Sequence, residues 1–314
     1  MHIPDGFIPI AQCLVYYVIL IVALYFSVKW AKSNLDEKRI PLLAVLAAGI
    51  FAIMSMNMPI PFGTSGHMVG GALVAIVFLA PEAAVLVFTV VLLIQALIFG
   101  DGGITALGAN VLNMAIVGGF VGLYTFKTLN GKIGKYPAAG IAAWLATVLA
   151  ALTCAIEMGI AGTFPVNVGI PSMVLYHFFI GIIEAILTVI VLVALDKLDQ
   201  TYSHGIKLKE VHSMDKKDMS LIIVAVVICI VISCLSPYIA SGDPDGLEKS
   251  AEDASVPEDF QIEPINGIPD AIFPDYAFAS APDNQGLQIV ALIIGAILTL
   301  GVGYGVATIL KSRN

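Results

Sequence analysis

Long runs of apolar residues dominate the chain, and charged positions fall almost entirely between them. Nine runs approach the ~20 residues that a helix needs to cross a bilayer. They span approximately residues 9–30, 40–58, 67–80, 82–99, 106–126, 137–160, 172–195, 219–240 and 287–310. The third is short and nearly meets the fourth at Ala80, Pro81 and Glu82. Each run is continuous, unlike the alternating strands of a membrane barrel, so the pattern predicts membrane helices.

Composition supports this interpretation. Of 314 residues, 59% are hydrophobic and 12% are charged, and the mean hydropathy is +0.95. A water-soluble protein of this size could not bury so much apolar surface in one core. The sequence therefore predicts an all-α integral membrane protein that crosses the bilayer several times.

The basic residues predict its orientation. If all nine runs cross the membrane, every Lys and Arg except Lys249 lies on one side. These are Lys29, Lys32, Lys38, Arg39, Lys127, Lys132, Lys135, Lys197, Lys207, Lys209, Lys216, Lys217, Lys311 and Arg313. The positive-inside rule makes that side cytoplasmic, with the C-terminus there and Met1 outside. The connection 241–286, with eleven acidic residues, is then external.

A charged stretch divides the chain into two units. We expect a seven-helix unit at residues 1–195, a cytoplasmic linker at 196–218, and a two-helix unit at 219–314. Six prolines lie between 244 and 282 in the external loop of the second unit, and with so few large apolar residues there they argue against a second packed core. The pair Asp245 and Gly246 predicts a turn into a short helix from Leu247.

The first residues, MHIPDGFIP, carry candidate metal chemistry. No basic residue precedes Lys29, unlike a signal peptide, and His2 is too large for removal of the initiator Met, so we expect a free amine at Met1. The Met1 amine, the deprotonated His2 backbone nitrogen and His2 Nδ1 can close two fused chelate rings around one ion. Pro4 has no N–H that could compete. Displacing an amide proton favours Ni²⁺ or Cu²⁺, then Co²⁺.

His67, in the stretch PIPFGTSGHMVGG, is the candidate for a fourth nitrogen. We expect it to begin the third helix, with Ser65 as a possible cap, at a depth where an ionisable group indicates function. Ser65, Asn57 and Asn110 are candidates for groups that support the ligands. His177 is the other histidine within a predicted helix. It is either a packing residue bonded to a nearby carbonyl or an outer group beside the ion's route.

Two carboxyls and four cysteines also fall within predicted helices. Glu157 and Glu184 must face the bundle interior or a partner protein, and a structural or coupling role is expected because H-E-x-x-H is absent. The cysteines share no metal-type spacing and are interpreted as packing residues: Cys13, Cys154, Cys229 and Cys234. The chain has neither a G-x-x-x-x-G-K-[ST] loop for ATP nor a nucleic-acid motif.

Three stretches carry a family resemblance: MHIPDGF at the start, GTSGHMVGG around His67, and PDGLE in the late loop. Together they resemble the substrate-binding membrane component (S-component) of energy-coupling-factor nickel/cobalt transporters, the NikM/CbiM type, with a NikN-type unit fused at the C-terminus. The resemblance implies a seven-helix S-component in the cell membrane, followed by a two-helix hairpin with a large external loop.

The resemblance also implies a ligand set and partners. The ion, Ni²⁺ or Co²⁺, would be held by the Met1 amine, the His2 amide and ring, and the His67 ring, and it is cargo, with no further cofactor. Such components act with a transmembrane coupling subunit and cytosolic ATPases. Four small residues could form a docking face for that subunit, although lipid contact or internal packing is equally consistent: Ala44, Ala47, Ala48 and Ala52.

Other interpretations stay open at this point. The acidic loop is either an accessory structural element or an antenna for cations, although its oxygen donors suit Ca²⁺ and Mg²⁺ better than Ni²⁺. The alternatives to the transporter component are a membrane metalloenzyme with Glu157 or Glu184 as base, and a proton-coupled secondary carrier. Four nitrogen ligands leave little room for a catalytic water, which argues against the enzyme. Planar nitrogen ligation and the fused unit favour nickel over cobalt.

Overall fold

The computed structural model describes residues 1–198, 216–257, 260–262, 267 and 270–312. Most of the predicted linker lies outside these residues. Helices occur in all nine predicted segments, in the order α1 (Ile10–Asn34), α2 (Arg39–Met54), α3 (Gly71–Phe78), α4 (Pro81–Ile94), α5 (Leu107–Val111), α6 (Gly118–Ile133), α7 (Lys135–Ala161), α8 (Val166–Leu198), α9 (Lys216–Ile239), α10 (Gly246–Asp253) and α11 (Gln285–Ser312). The predicted all-helical membrane fold with a C-terminal helical hairpin is confirmed.

Seven described stretches are long and apolar enough to cross a bilayer: Ile10–Asn34, Pro81–Phe99, Leu107–Ile133, Lys135–Ala161, Val166–Lys197, Ile222–Ile239 and Gln285–Lys311. The predicted segments 40–58 and 67–80 are shorter as helices, with 16 residues in α2 and eight in α3. The helix α3 ends where Leu79 adopts φ +54°, two residues before Pro81 begins α4. Both segments are therefore helical over shorter stretches than the apolar runs that predicted them.

Two of the spans contain π-helical turns, one at Gln95–Phe99 after α4 and one at Leu112–Val117 between α5 and α6. Such turns often mark functional sites in helices. Gln95 and Asn113 are both fully buried there. Each π-helical turn thus places a polar side chain inside the bundle.

A small hairpin precedes α3. Strand β1 (Met58–Ile60) pairs antiparallel with β2 (Thr64–Gly66), and Pro59 faces Ser65. The helix α3 begins only at Gly71, with Gly70 as its N-cap residue. The predictions that His67 begins this helix and that Ser65 caps it were wrong, because Ser65 belongs to a strand and residues 67–70 form a connecting segment.

The alanines of α2 pack inside the protein. The helix α2 contacts both C-terminal helices, α9 and α11. A Cβ built on Gly303 of α11 would lie 3.4 Å from Ala44 Cα, and Ala48 and Ala52 cluster with Cys229 of α9. Of the interpretations left open for this stripe, internal packing is the one that the structure supports.

Gly303 tests this contact. Replacing Gly303 with Val places methyl groups against the α2 backbone, and overpacking of this kind typically costs about 1–3 kcal/mol. We expect a lower melting temperature of the purified chain in detergent. Gly301 and Gly305 on the same helix meet open space, so Gly301→Val is the matched control. Equal melting temperatures for the two variants would contradict the packing.

Candidate metal centre

The amino-terminal segment folds back into the bundle, and its first three residues are buried. Asn110 of α5 holds it by two hydrogen bonds: its Oδ1 accepts from Ile3 N at 2.8 Å, and its Nδ2 donates to Ile3 O at 3.1 Å. The same carbonyl also accepts from Gly103 N at 2.8 Å. Asn110, predicted to support the ligands, thus fixes the backbone directly after His2.

The next residues are anchored as firmly. The carboxylate of Asp5 accepts hydrogen bonds from Ile104 N at 3.1 Å and Thr105 N at 2.7 Å. The carbonyl of Phe7 accepts from Thr163 Oγ1 at 2.5 Å. The stretch MHIPDGF is therefore held along most of its length, which leaves its first two residues in a defined position.

Two imidazoles meet at the end of this segment. The ring centroids of His2 and His67 lie 5.1 Å apart. Both Nε2 atoms are buried and have no hydrogen-bond partner among the described residues. His67 Nδ1 lies 3.2 Å from Met68 O, and His2 Nδ1 lies 3.1 Å from Asp101 Oδ1. The site thus contains two buried ring nitrogens that have no hydrogen-bond partner in the part of the chain that the structure describes.

The Met1 amine pairs with a residue of the C-terminal unit. Its nitrogen lies 2.5 Å from Asp245 Oδ2, and both groups are largely buried. The other oxygen of Asp245 accepts from Leu247 N and Glu248 N, and Glu248 Oε2 accepts from Asp245 N, which completes a capping box for α10. The predicted turn and short helix are confirmed, but sequence reasoning missed the pairing of Asp245 with Met1.

A second acidic residue, Asp101, links His2 to the C-terminal unit. Besides its contact with His2 Nδ1, it accepts a short hydrogen bond from the Tyr276 hydroxyl and a longer one, 3.4 Å, from Gln95 Nε2. Gln95 Nε2 also donates to the Tyr276 hydroxyl at 2.8 Å. The Tyr276 ring stacks on Phe99 at a centroid distance of 5.0 Å. Asp101 and Tyr276 were likewise missed from sequence.

Ser65 and Asn57, which were also predicted to support the ligands, contact the C-terminal unit. Ser65 N donates to Pro244 O at 2.8 Å, and Ser65 Oγ donates to Asp243 O at 2.7 Å, so this residue ties β2 to the PDGLE segment. The Asn57 carbonyl accepts from Ser241 N at 2.7 Å, a further tie to the same loop. Within the described part of the chain, neither side chain is hydrogen-bonded to His2 or His67.

His177 makes the contact expected of a packing residue and also borders a small cavity. Its Nδ1 donates to Met173 O at 2.8 Å, one turn earlier in α8, as a packing residue would. Its ring also lines a small cavity, which is bounded by Met1, Gly66, His67, Val69, His177, Ile180, Asp245 and Gly246. A Cβ on Gly246 would approach His177 Cε1 to 2.7 Å, so only glycine lets the PDGLE segment come this close.

The two membrane carboxyls have structural partners. Glu157 Oε2 accepts from Asn113 Nδ2 at 2.7 Å. The carboxylate of Glu184 accepts from Val69 N at 2.6 Å and Gly70 N at 2.8 Å. These contacts agree with a structural role, and within the described residues neither carboxyl is hydrogen-bonded to His2 or His67.

Burial and charge set the protonation of the site. Burial, followed by the positive charge of the Met1 amine, lowers the pKa of His2 and of His67 to about 3, so both imidazoles are neutral. Burial alone would lower the pKa of the amine, but the charge and hydrogen bond of Asp245 outweigh it and raise that pKa. In turn the amine holds the pKa of Asp245 well below its usual range despite burial.

Within the described residues, no group of three or more His, Cys, Asp and Glu side chains could hold a metal ion. A site that uses a terminal amine and a backbone nitrogen would not form such a group. The candidate donors here are one amine, one amide and two imidazoles, and nitrogen donors of this kind suit Ni²⁺, Cu²⁺ and Co²⁺.

Known proteins match both parts of the chain. Residues 2–201 match the family described as cobalt uptake substrate-specific transmembrane region, CbiM, and residues 219–312 match the PDGLE domain. A putative fused nickel transport protein NikMN of Archaeoglobus fulgidus is 35% identical, with 97% of each chain covered. A probable fused nickel transport protein LarMN of Lactiplantibacillus plantarum is 30% identical, with 96% of this chain and 97% of that one covered.

Two solved structures are also similar. A transition metal transporter is 36% identical with a TM-score of 0.58, covering 66% of this chain and all of that one. A truncated transition metal transporter is 38% identical with a TM-score of 0.57, covering 63% of this chain and 99% of that one. The resemblance noted from MHIPDGF, the His67 stretch and PDGLE is confirmed: the chain belongs to the CbiM family of membrane metal-transport components, in the form that is fused to a C-terminal PDGLE domain.

Proposed function

We propose that this protein binds Ni²⁺ with high affinity and takes it up across the cell membrane as the substrate-specific component of an energy-coupling-factor transporter. The observation that carries the proposal is the meeting of the buried Met1 amine with two neutral imidazoles: the Nε2 atom of His67 is buried without a partner among the described residues, and the Nδ1 atom of His2 faces the carboxylate of Asp101. Buried polar groups are almost always paired, so an unused nitrogen such as His67 Nε2 indicates a ligand.

The proposed ligands are the Met1 amine, the His2 backbone nitrogen, His2 Nδ1 and His67 Nε2. In the structure, the Asp245 carboxylate pairs with the Met1 amine, and the Asp101 carboxylate faces His2 Nδ1. An arriving cation would take over both nitrogens from these carboxylates, and the proton of the neutral His2 ring would then be carried on Nε2 instead of Nδ1. The two acidic groups would then lie beside the ligands, where their negative charge stabilises the bound ion.

Nickel is preferred over cobalt in this proposal because four nitrogens that include a deprotonated amide favour a square-planar ion. The A. fulgidus and L. plantarum relatives are both named as nickel transport proteins, which supports the same choice. Cobalt would be the weaker competitor for the site.

The protein acts in this proposal with a transmembrane coupling subunit and cytosolic ATPases, with Met1 outside and the C-terminus in the cytoplasm. The absence of a phosphate-binding loop from the 314 residues agrees with ATP hydrolysis by other subunits. The one-sided distribution of Lys and Arg supports the orientation. In this proposal the chain comprises a seven-helix unit, 1–195, and a two-helix unit, 219–314, joined by a linker at 196–218.

A free amino terminus is the decisive requirement. We expect a cleavable tag joined to Met1 to weaken Ni²⁺ binding by more than the roughly 10–100-fold typical of losing an outer partner of a ligand, because it removes a ligand itself. Proteolytic removal that leaves Met1 as the first residue should restore binding. Isothermal titration with Ni²⁺ in detergent compares the same preparation before and after cleavage. Equal affinity for both forms would refute the site.

Binding should release protons. The amine, whose pKa is raised, and the His2 amide must each lose one, whereas imidazoles with a pKa of about 3 have none to lose near neutral pH. We expect about two protons per ion and an affinity that falls as pH falls. Titrations in buffers of different ionisation enthalpy measure the number. Release of no protons would show that neither the amine nor the amide is a ligand.

Replacing Asp245 should change the number of protons released per bound ion. Asp245→Asn keeps a good N-cap residue for α10 but removes the charge that raises the pKa of the amine, so burial then lowers this pKa. We expect fewer protons released at neutral pH, approaching one per ion from the amide. Asp243→Asn, two residues away, is the matched control and should release as many as wild type. If Asp245→Asn released as many protons per ion as wild type, this carboxylate would not control the protonation of the amine.

A further inference from the structure

The segment that carries His67 lies between β2 and α3 and belongs to neither element. Two consecutive groups, Val69 N and Gly70 N, donate instead to Glu184 of α8, one to each oxygen, at 2.6 and 2.8 Å. Glu184 is 1% exposed. One carboxylate therefore satisfies two buried backbone donors beside a proposed metal ligand.

The Val69 donor belongs to the same peptide unit as the Met68 carbonyl. That carbonyl lies 3.2 Å from His67 Nδ1, and because a carbonyl can only accept, Nδ1 must carry the proton. His67 Nε2 is then the nitrogen with a free lone pair, and it is the atom that is buried without a partner. A continuous path runs from Glu184 through the peptide 68–69 to the ring, and hydrogen bonds in such chains strengthen one another.

The helix α8 supports the other side of His67 as well. His177, Ile180 and Glu184 follow one another at spacings of three and four, which places them on one helix face. A Cβ on Gly66 would come within 2.4 Å of Ile180 Cγ1, so β2 ends in direct contact with this face. The helix thus contacts Gly66, directly before His67, and Val69 and Gly70, two and three residues after it.

A charged acceptor is a costly choice for mere packing. A carboxylate within a membrane-spanning helix is unfavourable unless it has strong partners. An apolar residue at position 184 would avoid that cost but would leave both N–H groups unpaired. The position at the N-terminus of α3, where negative charge is favourable, adds to the fit.

We propose that Glu184 is a positioning residue for the metal centre: it fixes the peptide 68–69, which selects the tautomer of His67 and aims Nε2 at the ion. The inference rests on the proposed role of His67 as a ligand. It assigns the buried carboxyl of α8 to the arrangement of one ligand rather than to proton transport or catalysis.

Glu184→Gln tests this role, because the variant keeps the size of the side chain but turns an NH₂ group towards one of the backbone donors. We expect Ni²⁺ affinity to fall by about 10–100-fold, as for other outer partners of metal ligands. The d–d absorption of the loaded protein should move to longer wavelength as the His67 nitrogen weakens. In a His67→Ala background the same change should cost no further affinity.

Thr188→Val is the matched control. Thr188 lies one turn further along α8, is fully buried, and its Oγ1 has no partner within the described residues. This variant should bind Ni²⁺ with the affinity and spectrum of wild type. If Glu184→Gln does not fold, Glu184→Asp, which keeps the charge and shortens the reach, is judged by the same criteria.

Two results would overturn the inference: an unchanged affinity and spectrum in Glu184→Gln, or an equal loss of affinity in the presence and absence of His67. Amide hydrogen exchange of the ion-free protein gives an independent reading, since peptides containing Val69 and Gly70 should exchange faster only in the Glu184 variant. Wild-type binding by His67→Ala would instead refute the proposed function, while the exchange result would still report whether Glu184 holds the segment.

Discussion

A buried positive charge at the amino terminus is the constraint on which the rest of this structure depends. Taking an ammonium group out of water is favourable only with a close countercharge and further hydrogen bonds. The countercharge comes from Asp245, 244 residues away, at 2.5 Å. This one contact requires that the first residues enter the bundle and that the PDGLE segment meets them there. Asn110 and Asp5 add the neutral and charge-assisted bonds that keep the segment in place.

The C-terminal unit is consequently part of the candidate site and not an appendage to it. Its Pro244 carbonyl binds β2 just before His67, Asp245 binds the amine, and Gly246 lies on the ring of His177. Further along, Tyr276 binds Asp101, which faces His2. These contacts support the interpretation of the acidic loop as an accessory element that contacts the seven-helix part. A few of its residues make specific contacts, whereas a diffuse antenna of carboxylates would need none.

Much of the fold follows from local patterns in the sequence, but the assembly of the site does not. The apolar runs place all nine helical segments, and the Asp-Gly turn predicts α10, because both signals are local. The chelate proposed for Met1 and His2 also needs only neighbouring atoms. Pairing Asp245 with Met1, or Glu184 with Val69, depends on how distant helices pack, which no periodicity records. His67 was misplaced onto a helix because an apolar run cannot show that a strand and a connecting segment precede Gly71.

The proposed ligand set also explains how a dication could be accommodated at a buried site. If the amine and the His2 amide each release a proton, the arriving two positive charges replace two departing ones, and the net charge of the buried site does not change. Ca²⁺ and Mg²⁺ prefer oxygen ligands and do not displace an amide proton. Their binding would add uncompensated charge next to a protonated amine, which a low-dielectric environment strongly disfavours. Selection against the abundant hard cations then follows from charge balance as much as from ligand geometry, and Asp245 contributes by keeping the amine protonated until an ion able to displace that proton arrives.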